Sequence, residues 1–307
     1  MYSVGMIEKL NFTLGNAKLK RDTAILSLPA GWTCPFAKDC RSCVNRATGK
    51  TQDGPHAKIR CYAVTAEALF PNIRESRWNN FEALQAAKTA IGMANLVERS
   101  LLVKRNIKLV RFGQSGDFFS QAYFDAWVMV AQQHPDWIVY GYTKALPYWV
   151  KRMHLIPSNM KLVASRGGTH DYMIDMFGLR SARVVLSERE ARRKWHLPID
   201  HDDTHVWKYD KDFAILIHGT QPAGSKAGKA WAKIIRHGRG GYKSDYFAHY
   251  SKGKKTWKPA PKKSRVVPVI RVRGVKVDPK VIVSIPKPIT PFQLLAARWA
   301  KQTHKHS

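Results

Sequence analysis

Six short apolar runs rich in β-branched residues alternate with segments of helical periodicity. This alternation limits the fold more than any other feature of the chain. The runs are residues 23–31 (TAILSLPAG, a strand entering a loop), 107–113 (IKLVRFG), 137–143 (WIVYGYT), 161–165 (KLVAS), 182–187 (ARVVLS) and 213–219 (FAILIHG). Helical patterns are predicted over 64–70, 79–104, 120–134 and 146–154. The second carries Phe81, Leu84, Ala87 and Ile91 on one face, and the third carries Tyr123, Trp127 and Val130 behind Ser120 as N-cap. Apolar strands joined by helices belong to a largely parallel sheet. The expectation is therefore an α/β fold, either a partial or complete (β/α) barrel or an open sheet. Both place ligands at the C-terminal ends of the strands. Those ends turn polar here, at Gln114-Ser115-Gly116-Asp117, Thr143-Lys144, Ser165 and His218.

All four cysteines fall within 28 residues, directly after the first run: Cys34, Cys40, Cys43 and Cys61, spaced C-x5-C-x2-C-x17-C. Four thiolates suit tetrahedral Zn²⁺ or a [4Fe-4S] cluster. The x5 gap is loose for a zinc knuckle, which puts the cluster first. Lys38, Arg41, Arg46, Lys50, Lys58 and Arg60 lie in the same stretch and would offset the cluster's negative charge. The first twenty residues lack the apolar core of a signal peptide, and no apolar run approaches the roughly 20 residues of a membrane span. A cytoplasmic location without a membrane partner is expected. In that reducing compartment metal ligands or free thiols are favoured over disulfides.

The net charge is +30, and from Pro222 onward 21 Lys and Arg face two acids, Asp245 and Asp278. A surface of this kind fits a polyanion, nucleic acid foremost. The boundary is drawn between an α/β domain, 1–225, and a basic C-terminal region, 226–307. Within the latter, short strands are expected around Gly274 and Asp278-Pro279, and a terminal helix with Thr290 at its N-cap. Trp257 stands among Lys252, Lys254, Lys255, Lys258, Lys262, Lys263 and Arg265. An aromatic surrounded by lysines is hard to bury, so these eight residues are the candidate nucleic-acid contacts. Trp149 sits at a helical core spacing and is assigned to the core.

Gln114, Ser115, Asp117, Lys144, Ser165 and His218 are the candidate ligand contacts, with Asp117 equally suited to capping the next helix. The cluster His201, Asp202, Asp203 and His205 suits a hard cation or a polar turn before a strand. After His218, Gly219, Thr220, Gly224, Ser225 and Lys226 offer amides and a cation to a phosphate, without the residue order of a P-loop. G-x-S-x-G, H-E-x-x-H and G-x-G-x-x-G motifs are all absent, and no catalytic residue is assigned.

LPAGWTCPFAKDCRSC, RCYAVTAEALFPNIRESRWNNF, GDFFSQAYFDAWVMVAQQHPDWIVYGYTKALPYWVKRM, GLRSARVV, LPIDHDDTH and FAILIHGTQPAGSKAGKA resemble the bacteriophage gene-product-88 family over roughly residues 20–230. That implies a phage origin and the cytoplasm of an infected host. More remotely, the chain is similar to the radical S-adenosylmethionine superfamily. There a cysteine loop after the first barrel strand holds a [4Fe-4S] cluster, and a Gly-rich turn ending in an acid follows the second strand. RCYA at Cys61 and the turn ending in Asp117 carry this similarity. The superfamily spacing is usually C-x3-C-x2-C, so the x5 gap and the fourth cysteine depart from it. Ligation by all four cysteines closes every iron, whereas ligation by Cys34, Cys40 and Cys43 alone leaves one for S-adenosylmethionine. The expectation is a phage [4Fe-4S] protein with a radical S-adenosylmethionine-like barrel that binds nucleic acid through its basic C-terminal region. The alternatives are an active enzyme with a three-cysteine cluster and a structural zinc protein that binds nucleic acid.

Overall fold

A computed structural model describes residues 9–16 and 19–236. The C-terminal candidates Lys252 to Arg265, the strands near Gly274 and the helix at Thr290 lie outside the described residues.

The strands are β1 (Thr13–Leu14), β2 (Thr23–Ser27), β3 (Ser42–Val44), β4 (Thr51–Asp53), β5 (Leu109–Ser115), β6 (Ile138–Thr143), β7 (Met160–Ser165), β8 (Ser181–Val185) and β9 (Phe213–Leu216). The helices are α1 (Ala63–Leu69), α2 (Pro71–Ala86), α3 (Ala90–Leu102), α4 (Gln121–Gln133), α5 (Leu146–Val150), α6 (Tyr172–Met176), α7 (Glu188–Glu190), α8 (Thr204–Lys208) and α9 (Lys226–Arg236). One seven-stranded sheet runs β1-β2-β5-β6-β7-β8-β9. Only the β1–β2 pairing in it is antiparallel; β2 through β9 are parallel. β3 and β4 form a separate hairpin within the cysteine segment. The six predicted runs are the six parallel strands, and the fold is mixed α/β as the alternation requires. Closure into a barrel does not occur by strand hydrogen bonding among the described residues, because β1 and β9 end the order.

The order follows chain order throughout the parallel part, so each crossover helix returns to the neighbouring strand. The strands are apolar on both faces. Val110, Val139, Val163, Ala164, Phe213 and Ala214 are all buried. α3 and α4 pack together, with Leu96, Val97, Phe124, Trp127 and Val128 fully enclosed. At the far edge α9 docks through Ala227 and Ile234 onto Ile217, so this helix continues the packed body past residue 225. No helix among the described residues is long and apolar enough to cross a membrane.

Two boundaries differ from expectation. The predicted helix 79–104 is two helices. Lys88 sits in the left-handed region at φ 57°, and Thr89 accepts a hydrogen bond from the Gly92 N–H at 3.1 Å, capping α3. The break turns Ile91 outward (40% exposed) while Leu84 is fully buried, so the four-residue stripe spans two helices. The second difference is that β5 runs on to Ser115. Gln114 and Ser115 therefore belong to the strand and not to the turn after it.

Ser120 caps α4 as expected, accepting the Tyr123 N–H at 3.1 Å. Replacing it by Ala is expected to lower stability by about 1 kcal/mol. Ile91→Ala, on the exposed start of α3, is expected to shift it by less than about 0.5 kcal/mol. Denaturant midpoints measure both.

Candidate metal and ligand site

The cysteine segment leaves β2 at Leu28, whose N–H donates to the Ser115 carbonyl at 2.9 Å. It is anchored from below by Glu67 of α1, a carboxylate with no solvent exposure. Glu67 Oε2 accepts the Ala30 N–H at 3.1 Å and Arg77 Nη1 at 2.7 Å. Gly31, at φ 73°, passes so close to the hairpin that any Cβ would overlap the Ser42 carbonyl oxygen and Cys43 Sγ.

The hairpin decides which thiols meet. Successive side chains of a strand point to opposite faces. In β3, Ser42 and Val44 are buried, and Ser42 Oγ accepts the Cys61 N–H at 3.3 Å. Cys43 is therefore turned the other way, against Gly31 and Arg41. Gln221, after β9, fixes Cys61 from the opposite side: its Oε1 accepts the Arg60 N–H at 2.8 Å and its Nε2 donates to the Arg60 carbonyl at 2.9 Å. Arg60 in turn grips Asp53 through two nitrogens, the closer contact at 2.6 Å.

Cys34, Cys40 and Cys61 line one cavity of about 190 Å³ at the C-terminal ends of the parallel strands. Gln114, Ser115, Asp117, Lys144, Ser165 and His218, the six sequence-predicted contacts, line it too. Cys43 lines a separate surface groove with Trp32 and Arg41. The structure thus brings together three of the four cysteines. The trio contains Cys61 and omits Cys43, whereas the spacing groups all four cysteines and the radical S-adenosylmethionine resemblance implies Cys34, Cys40 and Cys43 for a three-cysteine cluster.

All four thiols are free. Burial pushes Cys34 well above an ordinary thiol, and Asp117 and the neighbouring thiols add to it. Burial, then Cys40, pushes Cys61 up to about 12. A bound metal would deprotonate such thiols outright. Among the described residues no group of three or more His, Cys, Asp or Glu is placed to hold a metal ion.

Lys144 is the cation of this wall, its Nζ 2.5 Å from Ser165 Oγ. Burial works against its charge, but Cys40, Asp117, Cys61 and Cys34 together raise its pKa above the usual lysine value. Asp117 is spent on positioning. It accepts the Phe118 N–H at 2.7 Å, the Thr143 hydroxyl at 2.7 Å and the Lys144 N–H at 2.8 Å, so it ties the exit of β5 to that of β6. Ser115 and Arg111 also line the cavity, and Ser115 Oγ and Arg111 Nε are buried without a hydrogen-bond partner.

The opposite wall was not foreseen from the sequence as a unit. Buried Arg111 pairs with Asp203. Tyr142 OH lies 3.3 Å from Asp200 and 3.4 Å from Asp203, and His205 Nδ1 lies 3.0 Å from Asp200. The Tyr62 hydroxyl donates to the Gln114 carbonyl, and its ring lies 4.5 Å from that of His218. Of these carboxylates, Asp203 pairs with Arg111 and Asp200 with His205. An arginine inside the apolar run IKLVRFG was the one available signal. Of the tryptophans, Trp149 is buried in the core as expected, and Trp32 is 55% exposed.

A model of the gene product 88 family matches residues 8–236. The chain belongs to the gene product 88 family. It is accordingly a bacteriophage protein, and the match ends with α9. No curated protein and no solved structure matches the chain. The family match spans both walls of the cavity, from the cysteine segment to His218.

In metal-free protein at pH 8, Cys34 and Cys61 are expected to react with iodoacetamide at least tenfold more slowly than cysteine in an unfolded peptide, since few of them are thiolates. Peptide mapping of a time course measures this.

Proposed function

We propose that Cys34, Cys40 and Cys61 hold a [4Fe-4S] cluster whose fourth iron faces the cavity, and that the protein is a radical S-adenosylmethionine-type enzyme of phage origin working in the infected cell's cytoplasm. One observation carries this reading. Three cysteines share a cavity with the polar strand ends, while the fourth is turned out of it by the alternation of β3. A structural zinc site has four protein ligands, and the cavity presents three thiols. The sequential, all-parallel order of β2 through β9 supports a partial (β/α) barrel, the framework in which such a cavity sits at the strand ends.

A cluster with an open iron supplies one-electron chemistry to a bound S-adenosylmethionine. The residues around it have separable tasks. Lys144 offers a buried cation to a carboxylate or to the cluster's negative charge. Ser115 and Gln114 at the end of β5 offer hydrogen bonds to a ligand's polar atoms. Asp117 fixes Lys144 by its backbone and does not itself reach outward. The Arg111–Asp203 pair and Tyr142 form the wall against which a second substrate would lie. The polyanion implied by a charge of +30 is the partner or substrate, DNA or RNA.

Protein purified without oxygen is expected to be brown, with about four irons and four sulfides per chain and no zinc. Cys34→Ala, Cys40→Ala and Cys61→Ala each lose the iron, and Cys43→Ala retains it. Zinc in place of iron, or loss of iron in Cys43→Ala equal to that in Cys61→Ala, rejects the assignment.

Affinity for a polynucleotide is expected to fall steeply with salt, and a chain ending at Arg236 to show a flatter dependence. That truncation keeps α9, whose Ala227 and Ile234 are buried. Equal slopes for the two forms would remove the basic C-terminal region from the interface.

A further inference from the structure

The groove that receives Cys43 has a volume of about 530 Å³ and adjoins the cavity, Ala37 lining both. Its chemistry differs from the cavity's. Trp32, Lys38, Arg41 and His56 are all exposed along it. Trp32 is held in place by its Nε1, which donates to the Val44 carbonyl at 3.0 Å, yet its ring remains 55% open. Trp78 backs it at 5.9 Å between ring centroids, with the Arg46 guanidinium 5.0 Å from the Trp78 ring. A large aromatic fixed at its edge and bare on its surface costs burial energy for no packing gain. The groove's acid, Asp53, is neutralised by Arg60, and Asp39 beside it by Lys58 at 3.1 Å. Among the described residues Lys38 and Arg41 have no ion-pair partner, so the groove is net positive. A fixed aromatic platform flanked by exposed cations is the arrangement that binds single-stranded nucleic acid, bases stacking on the ring and phosphates meeting the cations.

We propose that this groove binds a single-stranded polynucleotide, one base stacked on Trp32 and the backbone along Lys38 and Arg41, and that it leads the adjoining nucleotide past Ala37 into the cavity. This rests on the reading of the cavity as an active site and names its substrate class. A duplex is excluded by the stacking, since its bases are not free to lie on an indole. The hairpin that turns Cys43 away from the other thiols builds the groove at the same time. One element thus separates the two sites and joins them.

The test is ultraviolet crosslinking of the full chain, both metal-free and iron-loaded, to oligothymidylate and oligouridylate of about ten nucleotides, followed by peptide mapping. The expected result is a crosslink in the peptides holding Trp32 and Arg41, competed by single strands and not by duplex. Which of the two oligomers crosslinks more strongly assigns DNA or RNA. In the same full chain at about 0.3 M salt, where backbone attraction is largely suppressed, Trp32→Ala is expected to weaken binding about tenfold. Trp32→Phe retains most of the affinity, and Arg41→Glu loses a comparable amount to Trp32→Ala. Crosslinks confined to residues beyond 236, equal competition by duplex, or unchanged affinity in both Trp32→Ala and Arg41→Glu would overturn the proposal. Because the metal-free chain is included, absence of iron leaves this test intact. A silent groove in an iron-loaded chain counts against the groove and not the cluster.

Discussion

The arrangement of the cysteine segment depends on one buried carboxylate. Glu67 has no contact with solvent, and burial raises its pKa while Arg77 and the Ala30 amide oppose that rise. Through a single oxygen it joins the exit of β2, at Ala30, to α2, at Arg77, and its own helix α1 follows directly on Cys61. Arg74 completes the knot by donating to the Glu67 carbonyl at 2.7 Å and to the Arg46 carbonyl at 2.8 Å. A lone charge left in such a place costs several kcal/mol. The beginning, middle and end of the segment are therefore fixed relative to one another by the protein alone. The polar groups the knot leaves unsatisfied, Glu67 Oε1 and Arg77 Nε, lie within the knot itself.

On that base the strand ends can specialise. The cavity has a sulfur wall, Cys34, Cys40 and Cys61, and an ionic wall, Arg111, Asp203 and Tyr142. Lys144 lines the same cavity and has Cys34, Cys40, Cys61 and Asp117 as its electrostatic neighbours. Burial opposes the charge of this lysine, and Cys40, Asp117, Cys61 and Cys34 raise its pKa in spite of that. Asp117 gives up its own reach to hold Lys144 and Thr143, so a residue that looks like a ligand contact acts as a brace for two strand exits. The groove outside is built from the same hairpin and carries the opposite chemistry, aromatic and basic.

Much of this was legible in the chain. Continuous apolar runs rich in β-branched residues marked the six parallel strands, because strands buried on both faces read that way. The polar residues at their ends marked the cavity, because strand ends are where backbone pairing stops and side chains converge. What escaped detection depends on contacts distant in sequence. Arg111 and Asp203 lie 92 residues apart, and nothing local to either shows the pairing. The break at Lys88–Thr89 escaped because Ala87 and Ile91 continue the helical stripe that the cap interrupts. The orientation of Cys43 follows from a hairpin of two three-residue strands, SCV and TQD, too short to register as alternation. The C-x2-C spacing suggested that Cys40 and Cys43 act together, whereas Cys40 lines the cavity and Cys43, on β3, lines the groove.

The central claim is that the cluster has an iron without a protein thiolate and that this iron opens on the cavity. Electron paramagnetic resonance of the reduced, iron-loaded protein tests it, recorded with and without S-adenosylmethionine labelled with ¹⁷O or ¹⁵N at its amino-acid end. The account predicts a changed spectrum, with hyperfine coupling from the labelled atoms to the cluster, in both the natural chain and Cys43→Ala. A reduced cluster whose spectrum is untouched by saturating S-adenosylmethionine, with four cysteines needed to hold it, would contradict it.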